Sequence, residues 1–190
     1  MALGGNFMIT LRSPAPSDRE RIWAYRAEFL RAGDSLDGTA ALDRAESFAE
    51  WFSAVEDNRR AESVRSGMVP ATSFLAEDAA SSLVGMIQLR HCLNDYLLHF
   101  GGHIGYSVRP SQRRKGYATE MLRLVLEEAR RLGLKQVLVT CDAANEASRR
   151  TIRTNGGVLD GAIAEGGRLT QRYWICLLYT SPRPRDPKTS

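Results

Sequence analysis

The chain has 190 residues, of which 43% are hydrophobic and 25% are charged, values typical of a soluble globular protein with one core. No apolar run is long enough to span a bilayer, and residues 1–11 lack the cationic start and apolar segment of a secretory signal. The formal net charge is +4, and half of it comes from residues 180–190, which leaves little support for nucleic acid binding. We therefore expect a cytoplasmic protein that binds neither a membrane nor nucleic acid.

The cysteines argue against both a disulfide framework and a structural zinc site. There are three of them, Cys92, Cys141 and Cys176, and they are odd in number and widely spaced. We expect reduced thiols and no bound metal.

The N-terminal part predicts one strand followed by two helices. The strand is Met8 to Leu11, and the first helix begins at Ser17 or Asp18, both good N-caps, and runs to Arg31. The second helix is expected from Ala41 to Val55. The charged segment 56–67 reads as an exposed loop or a short helix.

Three strands are predicted next. Thr72 to Ala76 and Ser82 to Arg90 flank a small polar turn and form a hairpin. The stretch His91 to Phe100 is expected to be a loop. A third strand, Gly102 to Val108, ends at Pro110, which lacks a backbone donor.

The clearest element is the helix that follows Gly116. Its apolar side chains recur at helical spacing on one face, at Ala118, Met121, Leu122, Val125, Ala129 and Leu132. The next elements are a strand from Gln136 to Thr140 and a short helix from Asn145 to Asn155. One or two strands follow this helix, and the last of them runs from Thr170 to Leu177. The order predicts an α/β fold with a mixed sheet of six or seven mainly antiparallel strands and about four helices.

The turn between the third of these strands and the long helix predicts an anion site. The first N–H groups of a helix have no partners within it, and the helix dipole makes that end positive. Gly116 leaves room for a phosphate to approach the backbone, and Arg113, Arg114 and Lys115 add charge. The turn has neither the Walker A pattern nor a dinucleotide fingerprint, and a solvated basic loop is the alternative.

The residue pattern of this turn resembles the signature of the GNAT superfamily of N-acetyltransferases. Arg113-x-x-Gly116-x-Ala118 matches the family signature [QR]-x-x-G-x-[GA]. The strand Ile104 to Val108 before it and Asn145-x-x-Ser148 after it are similar to the family's fourth strand and to the helix after its fifth strand. The resemblance covers roughly residues 8–177 and is specific from His103 to Gly157.

The resemblance implies a GNAT-like acyl-coenzyme A N-acyltransferase fold with acetyl-coenzyme A as co-substrate. The turn would hold the pyrophosphate, and the pantetheine arm would lie between the fourth and fifth strands. The cofactor-binding residues expected on this basis are Tyr106, Ser107, Val108, Arg113, Arg114, Lys115, Gly116, Tyr117, Ala118, Thr119, Asn145 and Ser148. For Asn145 a plain helix N-cap is an equal alternative.

Two residues are candidates for the general base. His103 lies two residues before Gly105, where many relatives carry a Glu base, but it also suits a structural role in a strand. Glu28 lies on the first helix, which commonly walls the acceptor site in the family, but it also suits a solvated charge. His91 and Asp95 are weaker candidates in a loop.

The general acid is not evident. The family's usual Tyr, seven residues after the Asn, is replaced by Ile152. Tyr173 on the last strand is a substitute, or else part of the core. Water is another source of the proton. A covalent route through Cys141 has no identifiable base partner.

The function expected is N-acetylation of a primary amine of a small molecule or peptide by direct transfer, and a non-catalytic acyl-coenzyme A sensor is the alternative. An acidic rim for a cationic acceptor is conceivable, from Asp34, Asp37, Glu46, Glu50 and Asp57. A homodimer is left open. We expect one domain over residues 1–178 and a disordered, non-native tail over 179–190.

Overall fold

One mixed sheet of seven strands organises residues 9–178, the part of the chain that the computed structural model describes. Its strands are β1 (Thr10–Arg12), β2 (Ala71–Glu77), β3 (Leu83–Arg90), β4 (Ile104–Val108), β5 (Gln136–Asp142), β6 (Val158–Glu165) and β7 (Arg168–Cys176). They lie in the order β1-β2-β3-β4-β5-β7-β6. Neighbours are antiparallel except β4 and β5, which are parallel.

The α-helices of this part of the chain are α1 (Arg19–Ala32), α2 (Phe48–Asp57), α3 (Tyr117–Arg131) and α4 (Glu146–Thr154). Short 3₁₀ turns lie at Pro16–Asp18, Leu42–Arg44 and Pro110–Gln112, and a π-helical turn lies at Leu97–Gly101. The predicted α/β class with a mixed sheet is confirmed.

The sheet separates two apolar cores. One contains the buried face of α3, with Met121 and Val125, and Ile152 of α4 against β4, β5 and β7. The other contains α1 and α2, with Tyr25 and Trp51, against β2 and β3. Burying such side chains supplies about 1.5–3 kcal/mol each, so the two cores hold α1 and α3 rigidly on opposite sides of β4.

Some predicted elements differ from the structure. The second helix begins at Phe48 rather than Ala41, because Ala41 has a positive φ of 58° and Ser47 caps the helix by accepting the Glu50 N–H. The predicted loop 91–100 contains most of the π-helical turn. The predicted strand at Met8 begins at Thr10, and Met8 and residues 179–190 lie outside the described residues.

The C-terminal strands also differ in extent. Residues 158–165, where the sequence allowed an optional strand, form β6, and β5 continues to Asp142 instead of ending at Thr140. Strand β6 lies at the edge of the sheet and is exposed on both faces, so its side chains show no alternation to predict it from.

Candidate functional site

The turn Arg109–Gly116, called the anion turn here, leaves the start of α3 open to a ligand. Arg114 and Gly116 both have left-handed φ angles, 62° and 84°, and no side chain of the described residues caps α3 through Gly116. A Cβ built on Gly116 meets no atom within 4 Å. Such a backbone directs N–H groups into a concave surface, which suits an anion such as a phosphate.

The basic side chains of the anion turn do not all face that concave surface. Arg113 donates to Asp34 at 2.7 Å, and its guanidinium lies over the ring of Phe29. Lys115 donates to Gln112. Arg114 is exposed. Arg113 therefore ties the turn to the end of α1, which is a positioning role that the motif did not reveal.

Glu28 holds the anion turn from the other side. Its carboxylate accepts from the Nε of Arg109 and, at 2.7 Å, from the N–H of Ser111. Burial alone raises the pKa of Glu28, but the hydrogen bonds from Arg109 and Ser111 outweigh it and hold the pKa below the usual range. Both oxygens are occupied, so the geometry favours a positioning role over the predicted general base.

A gap opens between β4 and β5 beyond one bridge, Ile104 to Val139. We call the space between residues 105–108 and 140–142 the β4–β5 gap. On the edges that face away from the gap, β4 is fully paired with β3 and β5 is fully paired with β7. We call the bridged end at Ile104 the narrow end of the gap and the unbridged end toward the anion turn its wide end.

Backbone groups of β4 point into this gap. Between β3 and β4, the backbone N–H of Arg90 donates to the carbonyl of His103, and the backbone N–H of Arg109 donates to the carbonyl of Val84. Hydrogen-bonded residues alternate along an antiparallel pair, so the groups of Tyr106 and Val108 face away from β3. An elongated ligand with amides could pair with them while its anionic end lies in the anion turn.

The side of the gap next to α4 is covered by Tyr106. Its hydroxyl lies 2.7 Å from the Oγ of Ser148, and its ring packs against the α3–α4 core. Burial raises the pKa of Tyr106, so the phenol stays protonated. Asn145 accepts the N–H of Ser148 at 3.0 Å and thus caps α4, and a direct contact of Asn145 with a ligand stays a prediction.

The remaining predicted cofactor residues help to shape the site. Ser107 is buried toward α1, where its Oγ lies 3.0 Å from the hydroxyl of Tyr25. The carbonyl of Thr119 accepts from the side chain of Asn155, which directly follows α4, and Ala118 is half-buried. Tyr117 is buried in the α3–α4 core.

The predicted catalytic residues His103 and Tyr173 are engaged inside the sheet. His103 is 6% exposed, and its Nδ1 accepts the backbone N–H of Leu138 at 2.9 Å. Burial, helped by the charge of Arg90, lowers the pKa of His103 to about 4. Tyr173 is fully buried and donates to Gln171 at 2.7 Å. The geometry favours the structural alternative for both.

The weaker candidates do not assemble a second centre. His91 hydrogen-bonds Thr72 at 2.8 Å, and Asp95 is exposed. Burial raises the pKa of Cys141, so its thiolate is scarce and the covalent route loses support. Among residues 9–178 no group of three His, Cys, Asp or Glu side chains is arranged to hold a metal, and no helix is long and apolar enough to cross a membrane.

In the loop between α1 and α2 the sequence pointed to Asp34 and Asp37 as members of an acidic rim, but it did not reveal the contact of this loop with β4. Its Gly38 packs on β4 so closely that a Cβ would lie 2.1 Å from the carbonyl oxygen of Gly105. The neighbouring Asp37 lies within electrostatic range of Tyr106 and Arg90. The only sequence signal for this contact was the Asp37-Gly38 pair, which marks a turn.

The acidic rim proposed from the sequence is dispersed. Asp34 pairs with Arg113, and Glu50 accepts the N–H of Glu46. A cavity of about 580 Å³ lies at the start of α1 and α2 and is lined by Arg19, Glu20, Trp23, Glu46, Ser47 and Phe48. None of its residues belongs to β4, β5 or the anion turn, so we place the functional site at the β4–β5 gap.

Comparison with known proteins agrees with this geometry. The sequence model of the family described as an acetyltransferase (GNAT) domain matches residues 8–158. No curated protein matches the chain in sequence. Solved structures share the fold at low identity.

One such structure is yncA of Salmonella typhimurium with its cofactor acetyl-CoA, at 16% identity and a TM-score of 0.59, covering 93% of this chain and 98% of that one. A second is the spermidine/spermine N-acetyltransferase SpeG of Vibrio cholerae, at 17% identity and 0.60, covering 89% and 92%. A third is the Salmonella typhimurium acetyl transferase that modifies the N-terminal serine of ribosomal protein L7/L12, at 18% and 0.63, covering 88% and 94%.

Proposed function

Because the chain belongs to the GNAT acetyltransferase family, we propose that it is an N-acetyltransferase that moves an acetyl group from acetyl-coenzyme A to a primary amine. The observation that carries the proposal is the meeting of the anion turn with the wide end of the β4–β5 gap. A ligand with a pyrophosphate at one end and an amide-containing arm matches both features.

In this proposal the backbone of residues 113–119 holds the pyrophosphate at the start of α3. The backbone groups of Tyr106 and Val108 pair with the pantetheine arm, and one of these N–H groups polarises the acetyl carbonyl. Glu28 and Arg113 act indirectly, because each fixes the anion turn to α1 through an ion pair. Ser148 and Asn145 shape the wall at the start of α4.

Transfer is direct in this proposal. An uncharged amine attacks the thioester, the C–N bond forms, and the C–S bond breaks with its electron pair left on sulfur. The raised pKa of the buried Cys141 argues against an acyl-enzyme. The cytoplasmic location, the homodimer and the extent of the domain stay predictions.

The test is a screen of amines that follows thiol release from acetyl-coenzyme A. The panel contains spermidine and a peptide that begins with serine, because two structural neighbours act on such groups. It also contains amino acids and an aminoglycoside. We expect at least one amine to raise thiol release above hydrolysis. Tight binding of acetyl-coenzyme A with no turnover on any amine contradicts the proposal and leaves a binding module.

A further inference from the structure

The β4–β5 gap has a different chemical group on each wall. On the α4 side the hydroxyl of Tyr106 is held 2.7 Å from Ser148. On the opposite side Asp37 is brought to β4 by the contact of Gly38 with Gly105. Asp37 directly precedes Gly38 and Tyr106 directly follows Gly105, and a Cβ on Gly38 would lie 2.5 Å from the Tyr106 backbone nitrogen, so the glycine contact brings the loop that carries Asp37 to the same point of β4.

In the proposed function, the reacting end of acetyl-coenzyme A is placed between these groups. This step rests on the proposed function. With the pyrophosphate at the anion turn, the arm runs along the gap toward its narrow end at Ile104 and Val139. Gly105 and Tyr106 come directly after that narrow end, so an arm placed in this way would bring its thioester to the segment of β4 that has the Tyr106 hydroxyl on one wall and Asp37 on the other.

We propose that Tyr106 is the hydrogen-bond donor to the departing thiolate and that Asp37 binds the cationic acceptor amine and accepts its proton. The ammonium gives one proton to Asp37 and then attacks the thioester carbon. The adduct loses a second proton to water as the C–S bond breaks with its electron pair on sulfur. The sulfur, stabilised by the Tyr106 hydroxyl, takes up one proton on release, so the overall reaction liberates one proton.

The structure gives Tyr106 the properties that such a donor needs. A buried phenol remains protonated at neutral pH and so presents a hydrogen rather than a charge. The Oγ of Ser148 can accept from it or donate to it, so the phenol can turn its hydrogen toward a new acceptor without losing its place. On α4, the position at which the family usually carries a Tyr is occupied by Ile152, which is completely buried and has no proton to donate.

The exposed carboxylate of Asp37 suits a cationic amine rather than an anionic acceptor. Asp37 is exposed and accepts from the hydroxyl of Ser35 at 2.8 Å. The groups within electrostatic range of it are Arg90 of β3, whose Nη1 donates to the carbonyls of Gly101 and Gly102, and the neutral Tyr106. A carboxylate in this position attracts an ammonium group and can accept a proton from it.

The role of Tyr106 is tested first by binding alone. The pKa of the thiol of free coenzyme A, bound to the full chain, is measured from the thiolate absorbance as a difference spectrum. In Tyr106→Phe we expect the bound thiol pKa to rise by about one unit, which is about a tenfold lower thiolate fraction, because a hydrogen bond to a charged acceptor is lost. Tyr96→Phe, which changes an exposed phenol, is the matched control.

The outcomes separate the two proposals. Equal thiol pKa values in wild type and Tyr106→Phe overturn the role of Tyr106 and leave the proposed function standing. If wild-type protein binds no coenzyme A, the proposed function fails and this inference fails with it. Thermal melting of both variants shows whether the fold is intact.

The second test uses turnover with the best amine of the screen. Asp37→Asn should raise KM for the amine and lower kcat about tenfold or more at pH 7, with the defect shrinking at alkaline pH, where the amine is already neutral. Asp43→Asn, another exposed carboxylate, is the control. Acetyl thioesters of more acidic thiols should rescue Tyr106→Phe but not Asp37→Asn. A defect of Asp37→Asn that does not depend on pH, or the lack of any defect, overturns the role of Asp37.

Discussion

Gly38 in the loop between α1 and α2 lies backbone to backbone against Gly105 of β4. The contact leaves no room for a side chain, since a Cβ on Gly38 would lie 2.1 Å from the Gly105 carbonyl oxygen and a Cβ on Gly105 would lie 3.1 Å from Gly38 Cα. The two glycines thus allow the loop to form one wall of the β4–β5 gap.

Replacing Gly38 with Ala should push this loop off β4. Gly38 has a φ of 70°, so Ala adds about 1–2 kcal/mol of backbone strain, and the clash adds overpacking of about 1–3 kcal/mol. We expect lower turnover as well as lower stability, because Asp37 moves with the loop. Chemical denaturation and amine kinetics measure both effects.

Gly67→Ala is the matched control for this substitution. Gly67 has a φ of 81° and open space around its Cβ position, so it shares the strain but not the clash. Equal losses of stability in the two variants, with turnover unchanged in both, would show that the contact with Gly105 has no part in the site.

A side chain at Gly116 should block the approach of a phosphate to the start of α3. Gly116→Val is expected to weaken coenzyme A binding about 10- to 100-fold, because hydrogen bonds from the turn to a charged group are lost. The backbone strain of Val at a φ of 84° lowers stability too. Gly133→Val provides the comparison, since Gly133 at the other end of α3 has a φ of 80° and equally open space.

Calorimetric titration with coenzyme A separates the two effects. Both variants should lose similar stability, and only Gly116→Val should lose affinity. Equal dissociation constants for the two variants would remove the assignment of the anion turn.

The sequence predicted the parts of the site that are local in the chain. The apolar spacing of α3 and the glycine before it predicted a helix that begins after Gly116, and the structure has this helix with open space at Gly116; anion binding there stays a prediction. The contacts of Glu28 with Arg109 and of Gly38 with Gly105 join distant segments, and neither periodicity nor turn chemistry registers them. For the same reason the sequence indicated Glu28 and His103 as candidate bases, although both accept hydrogen bonds from residues distant in the chain.

Glu28→Gln should distinguish a base from a positioning residue. The variant keeps an oxygen for the N–H of Ser111 but loses the ion pair with Arg109, so the anion turn loosens. We expect coenzyme A affinity to fall about 2- to 5-fold with kcat nearly unchanged, in line with an ion pair that is partly exposed. Glu20→Gln, on the same helix, is the control.

The pH dependence of kcat completes this test. A positioning role leaves the ascending limb of the pH-rate profile in place in Glu28→Gln. Loss of that limb, together with an unchanged affinity for coenzyme A, would restore Glu28 as the general base.

Replacing His103 should change the free energy of unfolding, and the dependence of that free energy on pH, more than it changes the rate of acetyl transfer. The folded pKa of about 4 lies below the ordinary value of 6.5, so the unfolded chain binds more protons between these two values. The contribution of neutral His103 is therefore complete above pH 6.5 and is lost as the pH falls toward 4. In His103→Ala the N–H of Leu138 loses its acceptor, and we expect about 1–3 kcal/mol lower stability at pH 7.

The loss of stability in His103→Ala should shrink as the pH falls from 6.5 to 4, since wild-type protein loses its advantage over that interval. Denaturation at a series of pH values measures this difference. Turnover of the folded variant should keep the wild-type pH profile, because the buried ring accepts from Leu138 instead of facing the β4–β5 gap. A variant of unchanged stability whose rate loses its dependence on a group titrating near neutrality would instead identify His103 as the base.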